Sequence, residues 1–155
     1  MELVGLIGEL KRRVNEIMLI FTSLAAEKLR ACARAEYPRE CCGIMLGECK
    51  DGRKTVQKII PTENKVSGEK NTAHFQIDPL AVLKVEQEPL EILGFYHSHP
   101  DCEALPSKED ILHMIAGYSY PIVSVNDGEY ADIRSFERIS QTSAETEEEI
   151  ILSNA

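Results

Sequence analysis

Two histidines stand two residues apart in Gly94-Phe95-Tyr96-His97-Ser98-His99-Pro100, at the end of an apolar run. Side chains alternate faces along a strand, so His97 and His99 point the same way. Two imidazoles on one face can share one divalent ion. A catalytic zinc ion takes three protein ligands and keeps a fourth position for water, so a neighbouring element must supply the third ligand. Asp110 fits. It lies in the first turn of a helix that Pro106-Ser107 opens, and the loop between can fold the helix start back over the strand end. Asp101, Glu103 and Glu109 are rival carboxylates, and spacing alone does not choose among them.

Each feature also has a plain reading. An isolated H-x-H arises by chance more often than it marks a metal. Ser107 is a good helix cap in any case, and Asp110 at the third helical position can close a capping box with it. No capping argument explains the paired histidines. Zinc lowers the pKa of a bound water to about 7. A carboxylate that is not a ligand can then take a proton and pass it to a leaving amine. Glu40 is the candidate, because it follows Pro38-Arg39 and enters the apolar run Cys42 to Leu46. The plain reading of Glu40 is an exposed residue at a strand entrance.

These residues need elements to hold them. Ile17 to Phe21 reads as a buried strand, and Ser23 can cap a following helix with Ala25, Leu29 and Cys32 on one stripe. Cys42 to Leu46 and Thr55 to Ile60 read as strands joined through an Asp51-Gly52 turn. Residues 61–73 form a polar loop long enough to be a flap. Asp78-Pro79 opens a short helix to about Val85. Ile92 to Ser98 is apolar on both faces, which places it centrally in a sheet. The helix opened by Ser107 carries Ile111, Met114 and Ile115 and stops at Gly117. Pro121 to Val125, Ala131 to Phe136 and Glu149 to Leu152 complete the strands, with a turn at Asn126-Asp127-Gly128. The order gives an α/β fold with one mixed sheet flanked by helices in a single domain. Residues 1–16, with Leu3, Leu6, Ile7, Leu10 and Val14 in a rough helical stripe, form an N-terminal extension to a domain spanning 17–155.

Composition bounds the function. The 155 residues suit one domain, and the 43% hydrophobic and 28% charged shares are those of a globular chain. A net charge of −9 repels phosphate backbones, which excludes nucleic acid as an expected partner. No run spans a membrane, and Lys11, Arg12 and Arg13 follow rather than precede an apolar stretch, unlike a signal peptide. The expectation is a soluble, cytoplasmic protein. Glu145, Glu147, Glu148 and Glu149 read as a solvated segment. The five cysteines, without C-x-x-C, argue against a disulfide framework and a four-cysteine zinc site.

Glu40, then His97-Ser98-His99-Pro100, then Ser107-Lys108-Glu109-Asp110, resembles the JAMM motif of MPN-plus metalloproteases. Tyr37 to Gly47 is similar to the family's Glu-containing strand, and Phe75 to Pro79 to the segment before its middle helix. The resemblance implies a cytidine-deaminase-like JAMM/MPN fold and a zinc metallopeptidase, a hydrolase of the small prokaryotic type. It implies that His97, His99 and Asp110 are metal ligands and that Glu40 is the general acid/base. Ser107 would hydrogen-bond the substrate carbonyl. The expected substrate is a peptide or isopeptide bond after the C-terminal Gly-Gly of a ubiquitin-like sulfur carrier, its tail lying extended along a sheet edge. Two alternatives stand beside this. A non-catalytic MPN scaffold typically lacks metal ligands, whereas every motif residue is present here. A zinc nucleoside deaminase needs H-x-E and P-C-x-x-C spacing, which is absent.

Overall fold

Alternating burial defines the first strand. β1 (Met18–Phe21) turns Leu19 and Phe21 into the core and leaves Met18 and Ile20 partly covered. The computed structural model describes residues 18–65 and 77–153. The expected N-terminal extension and most of the expected flap lie outside them, and β3 takes up Pro61 and Thr62 of that loop.

Helix α1 (Ser23–Glu36) follows. Its N-cap is Thr22, not Ser23 as expected: the Thr22 hydroxyl accepts from the Ala25 N–H, while Ser23 Oγ donates to the Ser153 carbonyl 2.8 Å away. Its buried face is Ala25, Ala26, Leu29 and Ala33, with Cys32 only half-buried. Small side chains let this helix lie close against the sheet, beside Leu19, Phe21, Met45, Val56, Tyr96 and Val123 in the main core.

β2 (Cys42–Lys50) and β3 (Arg53–Thr62) form the expected hairpin. Asp51 and Gly52 both have positive φ, which matches the strand twist at a tight turn. α2 (Pro79–Val85) is capped by Asp78, whose carboxylate accepts from the Leu80 N–H at 3.0 Å. β4 (Glu91–Pro100) is the central strand its two apolar faces predict, antiparallel to β2 and parallel to β5 (Tyr120–Asn126). α3 (Lys108–His113), β6 (Glu129–Glu137) and β7 (Thr146–Leu152) complete the described chain.

The sheet is mixed, as expected, but it is closed. The strand order is β1-β3-β2-β4-β5-β6-β7, and β7 pairs in parallel with β1. Each named strand therefore has two neighbours, but β1 covers only Arg53–Val56 of β3, so among the described residues the stretch 57–62 has β2 alone beside it. Closure also corrects the reading of the glutamates near the C-terminus. They lie in or beside β7, and of the four only Glu148 is withdrawn from solvent. Glu148 is buried and accepts from Ser135 Oγ at 2.6 Å, while Glu147 pairs with Arg134 at 2.8 Å.

α3 is shorter than its apolar pattern suggests, ending at His113 rather than running to Gly117. Met114 turns extended and sinks into a cluster with Ala104, Tyr120, Ile122 and Phe136. Side chains then take over the backbone groups that the helix gives up. Tyr120 Oη accepts from the Ile115 N–H, and Gln141 bonds both the Ala116 N–H and the Met114 carbonyl. Among the described residues no helix is long and apolar enough to cross a membrane. All five cysteines are free thiols.

Candidate metal centre

Strand alternation does what the sequence requires of it. His97 and His99 sit in β4 with Ser98 facing away between them, and all three side chains are buried. The two Nε2 atoms are 3.1 Å apart. Each is 3.2 Å from Asp110 Oδ2, so the three atoms form a nearly equilateral triangle. Three tetrahedral ligand atoms about 2 Å from zinc stand about 3.3 Å from one another. The triangle has the size that a shared ion demands.

Electron counting supports a cation there. His99 Nδ1 lies 2.9 Å from the Glu103 carbonyl, which can only accept, so Nδ1 carries the proton. A neutral His99 then directs the Nε2 lone pair at a carboxylate oxygen and a second imidazole. A cation, or a proton on His99, is needed to hold those groups together. Burial pulls the His99 pKa down, but hydrogen bonds to Asp110 and Glu103 carry it above its ordinary value. Burial pulls His97 below its ordinary value despite the same carboxylate. For Asp110, burial acts upward and is outweighed by its histidine partners, which hold the carboxyl below the usual range.

Two of the rivals, Asp101 and Glu103, take other parts. Asp101 adopts φ +55°, and its two oxygens accept from the Asp127 N–H at 2.9 Å and from Tyr37 Oη at 2.7 Å. Glu103 contributes its carbonyl to His99, not its side chain. Asp110 brings one oxygen within 3.2 Å of both imidazoles. It does so through the capping box at the start of α3, where Ser107 Oγ accepts from the Asp110 N–H at 3.0 Å and the Ser107 N–H donates to Oδ2 at 2.9 Å. The cap and the ligand geometry are one arrangement, because the cap fixes the rotamer that aims Oδ2.

Glu40 is not an exposed residue at a strand entrance; it is 4% exposed. Its Oε1 lies 3.9 Å from His99 Nε2, and Glu40, His97 and His99 place their ligand atoms within 4.8 Å of one another. Oε2 is buried and has no hydrogen-bond partner among the described residues. Leaving a buried polar atom unmatched costs roughly 1–3 kcal/mol, so such atoms cluster where chemistry uses them. Burial raises the Glu40 carboxyl to about 7, with the His99 charge opposing and the Asp110 charge adding to the rise. A carboxyl in that range is suited to holding and releasing a proton near neutrality.

The sequence left Ser98, Asn64 and the Glu103 carbonyl without a role. Ser98 was visible in the motif, and alternation already turned it away from the histidines. A backbone carbonyl carries no side-chain signal, so Glu103's part was legible only in three dimensions. Cys102 is exposed, and its carbonyl receives Ser124 Oγ at 2.5 Å, which helps pin the loop between the histidines and α3.

Comparison with known proteins points one way. The family model for prokaryotic homologs of the JAB domain matches residues 23–139. A probable TtuB-protein conjugate cleaving protease of Thermus thermophilus is 42% identical over 89 residues, covering 55% of this chain and 55% of that protein. The chain thus aligns with about half the length of that relative. A CysO-cysteine peptidase of Mycobacterium tuberculosis is 28% identical over 135 residues, 82% of this chain and 87% of its own. A solution structure of a Desulfitobacterium hafniense protein superposes with a TM-score of 0.74 at 31% identity, covering 89% of this chain and 94% of the other.

Proposed function

Because the chain belongs to the prokaryotic homologs of the JAB domain, the small prokaryotic type of the JAMM family, we propose that it is a zinc-dependent peptidase acting after the C-terminal Gly-Gly of a ubiquitin-like sulfur carrier. The observation that carries the proposal is the triangle of His97 Nε2, His99 Nε2 and Asp110 Oδ2 with the buried Glu40 carboxylate beside it. Two relatives, a probable TtuB-protein conjugate cleaving protease and a CysO-cysteine peptidase, support the substrate kind.

In this reading His97, His99 and Asp110 hold the ion. Zinc, when bound, supplies a Lewis acid that makes a water nucleophilic near neutral pH. Glu40 takes a proton on its carboxylate and delivers it to the leaving amine. Burial favours its protonated form, which suits a carboxyl that must take up a proton and then give it away. Asp110 is spent on the histidines and on the Ser107 N–H, so it is not available for proton transfer. Ser107 Oγ already accepts from the Asp110 N–H, which leaves its hydroxyl proton to donate to a substrate carbonyl oxygen. A glycine pair brings no side chain between its backbone and the centre, which favours Gly-Gly at the scissile position. The free thiols and the five-cysteine count accord with the reducing cytoplasm where we place the protein.

The test is direct. Zinc-loaded protein is incubated with a carrier ending in Gly-Gly plus one further residue, and product masses are read. Release of that residue is expected. Cleavage elsewhere in the carrier, or equal cleavage when Gly-Gly becomes Ala-Ala, rejects the proposed specificity.

Ser107→Ala separates the hydroxyl's two tasks. Loss of the cap lowers stability by about 1 kcal/mol. A lost transition-state hydrogen bond lowers kcat by roughly tenfold to a thousandfold, with KM little changed. Unchanged kinetics with a reduced melting temperature would leave Ser107 a cap and nothing more.

A further inference from the structure

Ser98 is a motif residue to which the proposed function gives no part. It is 1% exposed and faces away from the two histidines. Its surroundings show how Glu40 is aimed. Cys42 stands opposite His97 in the antiparallel ladder of β2 and β4. Continuing that register sets Cys41 opposite Ser98 and Glu40 opposite His99, with paired side chains on a common face.

At the Cys41–Ser98 step the ladder changes character. The Ser98 N–H donates to the Cys41 carbonyl at 3.1 Å, as in any ladder. The return bond runs from the Cys41 N–H to Ser98 Oγ at 2.8 Å, so a side-chain hydroxyl stands in for a main-chain acceptor. The Cys41 N–H shares a peptide plane with the Glu40 carbonyl. That carbonyl accepts from Asn64 Nδ2 at 3.3 Å. The plane is therefore gripped at both edges by side chains. The Glu40 carboxylate itself is held loosely: among the described residues Oε2 has no hydrogen-bond partner, and Oε1 meets His99 Nε2 at 3.9 Å. With so little holding its head, the direction of this side chain is set by its backbone.

We propose that Ser98 is a positioning residue for Glu40, its hydroxyl acting through the Cys41 N–H to set the approach of the Glu40 carboxylate to the His97–His99 pair. The proposal rests on the reading that Glu40 carries the proton. Of the two grips, Ser98 is the stronger, because its bond is buried and shorter than that of Asn64. Ser98→Thr keeps the hydroxyl, whereas Ser98→Ala strands a buried N–H.

The test compares zinc-loaded wild type, Ser98→Ala and Ser98→Thr by zinc content, kcat and KM on the Gly-Gly carrier substrate, amide exchange at Cys41, and the Glu40 carboxyl carbon resonance. In Ser98→Ala the Cys41 amide exchanges faster and the Glu40 resonance shifts. Its kcat falls about tenfold to a hundredfold, with KM and zinc per chain unchanged. Ser98→Thr restores all of these. Should Ser98→Ala fail to fold, Asn64→Ala loosens the other edge of the same plane and is expected to shift the Glu40 resonance with a smaller fall in kcat. Wild-type kcat alongside a faster-exchanging Cys41 amide overturns the proposal, as does a fall in kcat without any change at Cys41. Loss of zinc in Ser98→Ala overturns it too, since the effect would then run through the ligands. A wild type that binds zinc and cleaves no carrier rejects the proposed function instead. The Glu40 resonance then decides the positioning claim: unchanged in Ser98→Ala, it fails; shifted and restored by Thr, it stands.

Discussion

Glu40→Gln is expected to keep the fold and the full zinc content while losing turnover by roughly a hundredfold to ten-thousandfold, the range that removal of a general acid/base produces. Gln has nearly the shape of Glu but does not carry the proton between nucleophile and leaving amine. The expectation that zinc is retained rests on the geometry. The three closest-set donor atoms belong to His97, His99 and Asp110, and Glu40 stands off at 3.9 Å from the nearer histidine. Steady-state kinetics and metal analysis on the same preparation check both halves. Zinc-loaded Glu40→Gln with wild-type kcat would move the proton to another group. Loss of zinc in that variant would make Glu40 a ligand and redraw the centre.

His97→Ala and Asp110→Ala are each expected to abolish stoichiometric zinc, and with it activity. Wild type should hold about one ion per chain. The two variants lose zinc for the same reason but differ in what else they lose. His97 is fully enclosed beneath the centre, so its removal also leaves a void. Asp110→Ala opens the capping box and frees the start of α3. A thermal readout separates ligation from folding. Zinc is expected to raise the melting temperature of wild type, because a ligand that binds the folded chain stabilises it. It should leave both variants unmoved, whatever their own stability. Undiminished zinc in both would remove the assignment altogether, and with it the distinction from a non-catalytic scaffold.

Much of the centre was legible without coordinates because it depends on short-range rules. Alternation along a strand put His97 and His99 on one face, and the structure has them there. The capping pattern from Ser107 to Asp110 marked the start of α3, and both of its hydrogen bonds are present. The Asp51-Gly52 turn and the central position of β4 followed from residue types in the same way. The errors fell where a local pattern competes with a distant partner. α3 stops early because Met114 gains a buried cluster by leaving the helix. The late glutamates form a strand because β6 and β1 both lack a second neighbour until β7 arrives.

By itself, the sequence determined which chemistry was possible: two imidazoles on one strand face, a capped aspartate, and a glutamate ahead of an apolar run. Only the tertiary structure decided which carboxylates join them. Asp101 and Asp110 are both within loop reach of the histidines. One is drawn to Tyr37 and the 126–128 turn, the other is turned inward by its cap. Glu40 reaches the centre through the β2–β4 register, and sliding that pairing by one residue would carry its side chain to the opposite face. Register is set by fitting whole hydrophobic faces together and by closing the barrel, so it is a property of all seven strands and not of the residues around Glu40.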